Sequence, residues 1–193
     1  MAPNDAEGWY NLAVALQEAG HAQEGAIAIR EAIRRDSARP EAHNTLGIAL
    51  MAEGNPGGAE QEFRNAIGLD PRNARAWNNL GNTLRASSRF SEARHAYQRA
   101  IELAPAYADP LNGMGVIDVQ QDRPREALAS FDAALRIAPD FFEAQLNRGI
   151  ALRIAGDPDA AAEQLRRLVT RLPPGREYDE QRNAARALLA SPR

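Results

Sequence analysis

The chain has 193 residues, a formal net charge of −3 and a pI near 5.7, so nothing in its charge favours nucleic acid, which calls for a basic face. It has no cysteine, and all 23 basic residues are arginine. Disulfides, thiolate metal sites, phosphate-loop lysines and Schiff-base chemistry are therefore excluded. No apolar run approaches a membrane span and Met1–Gly8 does not read as a secretory signal, so a cytoplasmic location without membrane contact is expected.

In chain order, Ala2-Pro3-Asn4-Asp5 resembles the closing positions of later segments, as the tail of an upstream unit would, while Asn4-Asp5 also suits a helix cap. The first segment, 6–39, packs through Trp9, Leu12, Ala13 and Leu16, then through Ile29, Ala32 and Ile33. The second, 40–73, puts His43 where an aromatic is expected and opens its second helix with Pro56-Gly57-Gly58, with proline suited to a first turn. In the third, 74–107, apolar spacing predicts helices from about Arg75 to Ala86 and from about Ser91 to Leu103, joined at Ser87-Ser88-Arg89 and stopped by Pro105. The fourth, 108–141, carries Asp118 in a slot held elsewhere by leucine, where a carboxylate must find a partner or water. The fifth, 142–175, ends at Pro173-Pro174-Gly175. Glu177–Ala190 then reads as one further helix with an apolar and a charged face, a C-terminal cap within 176–193.

These segments repeat every 34 residues without insertion. The first-helix pair is Leu12-Ala13, Leu46-Gly47, Leu80-Gly81, Met114-Gly115 and Arg148-Gly149. The turn carries Gly20, Gly54, Ser88, Asp122 and Gly156. A large residue follows at Ile29, Phe63, Tyr97, Phe131 and Leu165, flanked by small ones such as Ala59, Ala66, Ala93 and Ala100. Small residues facing large ones let two helices approach closely, and each pair leaves an apolar face that the next must cover.

With Trp9, Trp77, the Leu-Gly pairs, the Ala/aromatic/Ala series and the closing prolines, the chain resembles the tetratricopeptide repeat (TPR) family. The resemblance implies an all-α, right-handed superhelical solenoid of antiparallel helix pairs, and a non-catalytic module that binds a partner in its concave groove. His21, His43 and His95 fall in different slots, and Gly113-Met114-Gly115 follows no strand, so no catalytic residue, metal site or cofactor is expected.

In that family the groove is lined by first helices through slots not used for packing. Here these hold Tyr10, Asn44, Asn78, Asn112 and Leu146, with Asn11, Asn79 and Asn147 beside them. Beyond come Val14, Ile48, Asn82, Val116 and Ile150, then Gln17, Met51, Arg85, Val119 and Arg153. An exposed amide offers both donor and acceptor, so a row of them can pair with the backbone of an extended peptide. The row resembles the asparagine ladder of TPR-containing O-GlcNAc transferases, broken here at Thr45 and Gly113. Arg75, Arg85 and Arg153 are expected to meet acidic groups. The carboxylate clamp of chaperone-tail adaptors does not fit, since its places hold Tyr10, Val14, Thr45, Arg75 and Asn79 in one window. The expected partner is another protein or peptide. Alternatives are the recognition arm of a larger glycosyl- or sulfotransferase, and a self-assembling element that forms a homo-oligomer.

Overall fold

The computed structural model describes residues 5–190. Those residues are helical throughout: α1 Ala6–Glu18, α2 Ala22–Arg35, α3 Pro40–Ala52, α4 Pro56–Leu69, α5 Ala74–Ala86, α6 Phe90–Leu103, α7 Asp109–Gln120, α8 Pro124–Ile137, α9 Phe142–Ile154, α10 Pro158–Arg171 and α11 Asp179–Ala190. A short 3-10 turn, Arg176–Tyr178, precedes α11, so the expected continuous terminal helix is divided. Tyr178 is drawn edge-on to Phe142, with ring centroids 5.5 Å apart, which ties this turn to α9. The helices fall into two compact units, one up to Leu103 and one from Ala104. In the first, α1 packs on α2, α3 on α4 and α5 on α6, with α2 against α3 and α4 against α5. In the second, α7 packs on α8 and α9 on α10, with α8 against α9 and α11 against α9 and α10.

The turn inside each pair is made by one residue in the left-handed region: Gly20, Gly54, Ser88, Asp122 and Gly156, with φ of 82°, 74°, 57°, 57° and 86°. The following N–H then reaches back to the helix, as from Asn55 to the Leu50 carbonyl at 2.8 Å and from Arg89 to Leu84 at 2.9 Å. Helix starts are capped by side chains where the sequence supplies them. Asp5 accepts from Gly8 N–H at 2.7 Å, and Asn73 accepts from Ala76 N–H at 3.0 Å. Asp5 thus acts as the cap, while the resemblance of residues 2–4 to an upstream tail lies outside the described residues.

The glycine of the first helix is required by its neighbour across the pair. A Cβ on Gly47, Gly81 or Gly115 would lie 2.5, 2.6 and 2.6 Å from the rings of Phe63, Tyr97 and Phe131. Ala13 is tolerated because its partner is the smaller Ile29, and both are fully buried. A second register varies together in the same way. Trp9 and Trp77 stand 19 residues before Ala28 and Ala96, His43 before Glu62, and Gln145 before Gln164. The Trp77 indole N–H donates to the Pro71 carbonyl at 3.0 Å and the Gln145 amide to Pro139 at 2.6 Å. His43 Nε2 faces Ser37 at 3.0 Å. Each pins the preceding turn to the start of a first helix. Asp118 finds its partner in Arg123, 3.0 Å away across the turn.

On the second-helix side of the first unit, Glu60, Arg64, Arg89 and Glu92 form a closed ring of charge. Arg89 meets Glu60 and Glu92 at 2.6 Å each, Arg64 meets Glu60 at 2.9 Å and Glu92 at 3.8 Å. Arg89 holds the Glu92 carboxyl below the usual carboxylate range, while at Glu60 burial opposes the downward pull of Arg64 and Arg89 without overcoming it.

Coverage of the stacking faces is uneven. Leu12 is 37% exposed, whereas Leu46 and Leu80 in the same slot are 7% and 2%. At the other end α11 covers α10. Ala185 joins Leu165, Leu168 and Leu172 in one buried cluster, and Arg186, in the slot of Leu152 one period earlier, is exposed.

Candidate functional site

The asparagines do not stand as an open row. Asn79 donates its amide to Asn44 Oδ1 at 2.9 Å, and Asn147 donates to Asn112 Oδ1 at 3.0 Å. In both pairs the donor lies 35 residues beyond the acceptor, whereas 35 residues beyond Asn78 stands Gly113, which carries no side chain. Asn78 and Asn112, expected to be exposed amides, are buried at 3% and 6% exposure. Each sits on the buried side of its first helix, and the Asn44–Asn79 and Asn112–Asn147 amides support one another before they meet any ligand.

The two units use this arrangement differently. In the second, Asn112 also donates to Glu143 at 3.1 Å, so its amide is engaged at both ends. Arg153 donates to the Leu188 carbonyl at 2.8 Å, capping the C-terminal end of α11, so it serves the fold rather than standing open. In the first unit more capacity is left. Among the described residues Asn44 keeps its side-chain N–H groups and Asn79 its side-chain Oδ1, and Asn78 Oδ1 is buried without a partner. The Tyr97 hydroxyl donates to Asn82 Oδ1 at 2.7 Å and accepts from Arg85 Nε at 3.4 Å. Of the remaining candidates, Asn11 and Arg75 are exposed, and Tyr10 lies under the Arg39 guanidinium, 5.4 Å from its ring centroid.

Of these residues Asn79 and Asn82 line a cavity of about 240 Å³ between α3 and α5, together with Ile48, Met51, Phe63 and Thr83. Ile48 is 48% exposed, and it also lines a larger apolar hollow of about 450 Å³ with Gln17, Ala22, Ala49 and Ala52. The cavity floor is thus apolar and its α5 wall carries the Asn79 and Asn82 amides beside Thr83. The sequence pattern named Ile48, Met51, Asn79 and Asn82, but assigned Phe63 to packing and did not single out Thr83. Thr83 donates to the Asn79 carbonyl at 2.9 Å and so belongs to the same wall. The histidines are dispersed: His21, just before α2, meets Glu24 at 3.2 Å, His43 meets Glu62 at 2.5 Å, and His95 lies edge-on to Trp77 at 6.0 Å. Among the described residues no three His, Asp or Glu side chains gather to hold a metal, and no helix is long and apolar enough to cross a membrane.

Comparison with known proteins follows this geometry. No curated protein matches the sequence. Among solved structures, PilF of Pseudomonas aeruginosa superposes with a TM-score of 0.77 at 22% identity, over 95% of this chain and 88% of PilF. A thermophilic TPR protein of Thermus thermophilus gives 0.80 at 18% identity, over 94% and 99%. YrrB, described as a TPR protein with an unusual peptide-binding site, gives 0.66 at 20% identity, over 96% and 92%. At these identities the likeness shows the fold. A model of the tetratricopeptide repeat matches residues 44–108 and 113–177, and with the helix pairs, left-handed turns and Gly-aromatic contacts described above, the chain belongs to the tetratricopeptide repeat family.

Proposed function

We propose that the chain is a non-catalytic binding module that holds an extended segment of another protein across α1, α3 and α5. The observation that carries this reading is the α3–α5 cavity, where an apolar floor meets amide groups with hydrogen-bonding capacity to spare. An apolar side chain of the segment enters beside Ile48 and Met51, and its backbone meets Asn44, Asn79 and Asn82. The amides pair with any sequence, and the cavity selects one side chain. The peptide-binding site described for YrrB, on the same fold, supports the same class of ligand.

Random-peptide display on the immobilised chain tests this. The reading expects selected peptides whose affinity falls at least tenfold in Asn82→Ala and in Ile48→Glu, with helicity retained by circular dichroism. Peptides that bind both variants as well as wild type would remove the site from this groove. A second reading, self-association, is favoured by the uncovered Leu12 face of α1. It predicts a mass that rises with concentration in light scattering, and a constant monomer mass would end it.

A further inference from the structure

About half of the arginines among the described residues are neutralised by a carboxylate of the chain itself. Arg30, Arg64, Arg89, Arg99, Arg148 and Arg171 each meet a carboxylate from their own or a neighbouring helix. Arg85 does not. It is half-buried on α5, among the described residues it forms no ion pair, and its one described bond is the 3.4 Å contact from Nε to the Tyr97 hydroxyl. Tyr97 is fully buried and directs its own proton to Asn82 Oδ1, so its oxygen presents a lone pair to Arg85. That holds the guanidinium by its Nε edge and leaves the two terminal nitrogens as a free fork. The fork is one hydroxyl away from the wall of the α3–α5 cavity, and no carboxylate lines that cavity.

We propose that Arg85 is a specificity determinant that binds a side-chain carboxylate of the held segment, so that the module selects an acidic residue close to an aliphatic one. This rests on the groove reading above and names the chemistry of its occupant. A planar fork with both terminal nitrogens unspent matches a carboxylate in two parallel hydrogen bonds, which a lysine could not reproduce. Partial burial raises the worth of such a contact over an exposed ion pair, and the missing internal counter-charge is supplied by the ligand. Tyr97 acts as a positioning residue, since it touches the fork and not the segment.

The experiment is peptide display against the full chain and its Arg85→Gln and Arg85→Glu variants. Selected sequences are then resynthesised with amidated C termini, so that side chains carry the only carboxylates. Wild type should enrich Asp or Glu near an aliphatic residue. The best peptide should weaken about tenfold to a hundredfold in Arg85→Gln. It should also weaken with rising salt in wild type but not in the variant, and the Arg85→Glu pool should turn to Arg and Lys. Arg85→Lys should recover only part of the loss, and Tyr97→Phe should lower the preference for acid while leaving binding itself in place. Selected peptides that bind in the groove with no acidic preference, or that bind Arg85→Gln as well as wild type, overturn the inference while the groove reading stands. A library that yields no groove-binding peptide overturns both.

Discussion

Adding one methyl group to Gly115 tests how this fold is packed. The new Cβ would lie 2.6 Å from Phe131 Cε1 and 2.8 Å from Cδ1 and Cζ, in a ring that is fully buried. Overpacking of this kind costs about 1–3 kcal/mol. Alanine also gains about 1 kcal/mol over glycine inside a helix. Steric cost should at least cancel that gain, leaving Gly115→Ala destabilised by up to about 2 kcal/mol. Phe131→Ile alone leaves a cavity and should also destabilise. Together the two changes recreate the Ala13–Ile29 contact already present in the first helix pair, both members fully buried. The double variant should therefore lose less than the sum of the singles, with a favourable coupling of about 1 kcal/mol or more, read by urea denaturation followed by circular dichroism. Strict additivity, or a Gly115→Ala that gains the full helix-propensity increment, would refute the packing argument.

Other expectations follow from single residues. Asp118→Leu restores the residue type at the same position of the other helix pairs and should hold or raise the melting temperature, whereas Arg123→Gln leaves a buried carboxylate without its 3.0 Å partner and should lower it. Replacing His43 alone with Ala removes the side-chain partner of the Ser37 carbonyl and leaves Glu62 with only Asn65, at a cost of about 1–3 kcal/mol, or several degrees of melting temperature. His43→Gln/Glu62→Gln, which copies Gln145 and Gln164, should cost less than that single change. The acid response has a definite sign. Hydrogen bonds from Arg34 and then Arg35 lower the Glu31 pKa from 4.5 to about 2. A depressed carboxylate contributes above its unfolded value and loses that contribution as pH falls toward its folded one. The Glu31 pairs should therefore stabilise α2 fully above about pH 4.5 and lose that contribution progressively between there and about 2, and carboxyl NMR titration of Glu31 should give a midpoint near 2. A Glu31 midpoint at 4.5 would contradict the geometry.

Much of this fold was written in one-dimensional periodicity. The turn positions from Gly20 to Gly156 were placed by phase alone, and all five adopt the left-handed conformation, even where the chain has Ser88 or Asp122. The small-large alternation likewise foretold which helices approach closely, because Gly81 and Tyr97 are each intelligible only with the other. The groove was legible as a set of slots but not as a set of free groups. An asparagine in a groove slot reads the same whether it faces solvent or another asparagine, and the 35-residue offset that ties Asn79 to Asn44 joins neighbouring slots of successive helices. Arg153 was misleading for a related reason. Its slot is a groove slot, but α11 brings the Leu188 carbonyl to it, and only the folded terminus reveals that acceptor. The missed wall residue Thr83 belongs to a position that the repeat otherwise spends on packing, since Ala49 and Ala151 in that register are buried.

The central claim is that a segment of a partner lies across α3 and α5. The most direct measurement is amide and methyl NMR of the labelled chain titrated with the tightest peptide from the display selection. The account predicts saturable shifts concentrated at Asn44, Ile48, Met51, Asn79 and Asn82, with intermolecular contacts from an aliphatic peptide side chain to the Ile48 and Met51 methyl groups. Shifts confined to the second-helix surface, around Glu60, Arg89 and His95, with α3 and α5 silent, would contradict it.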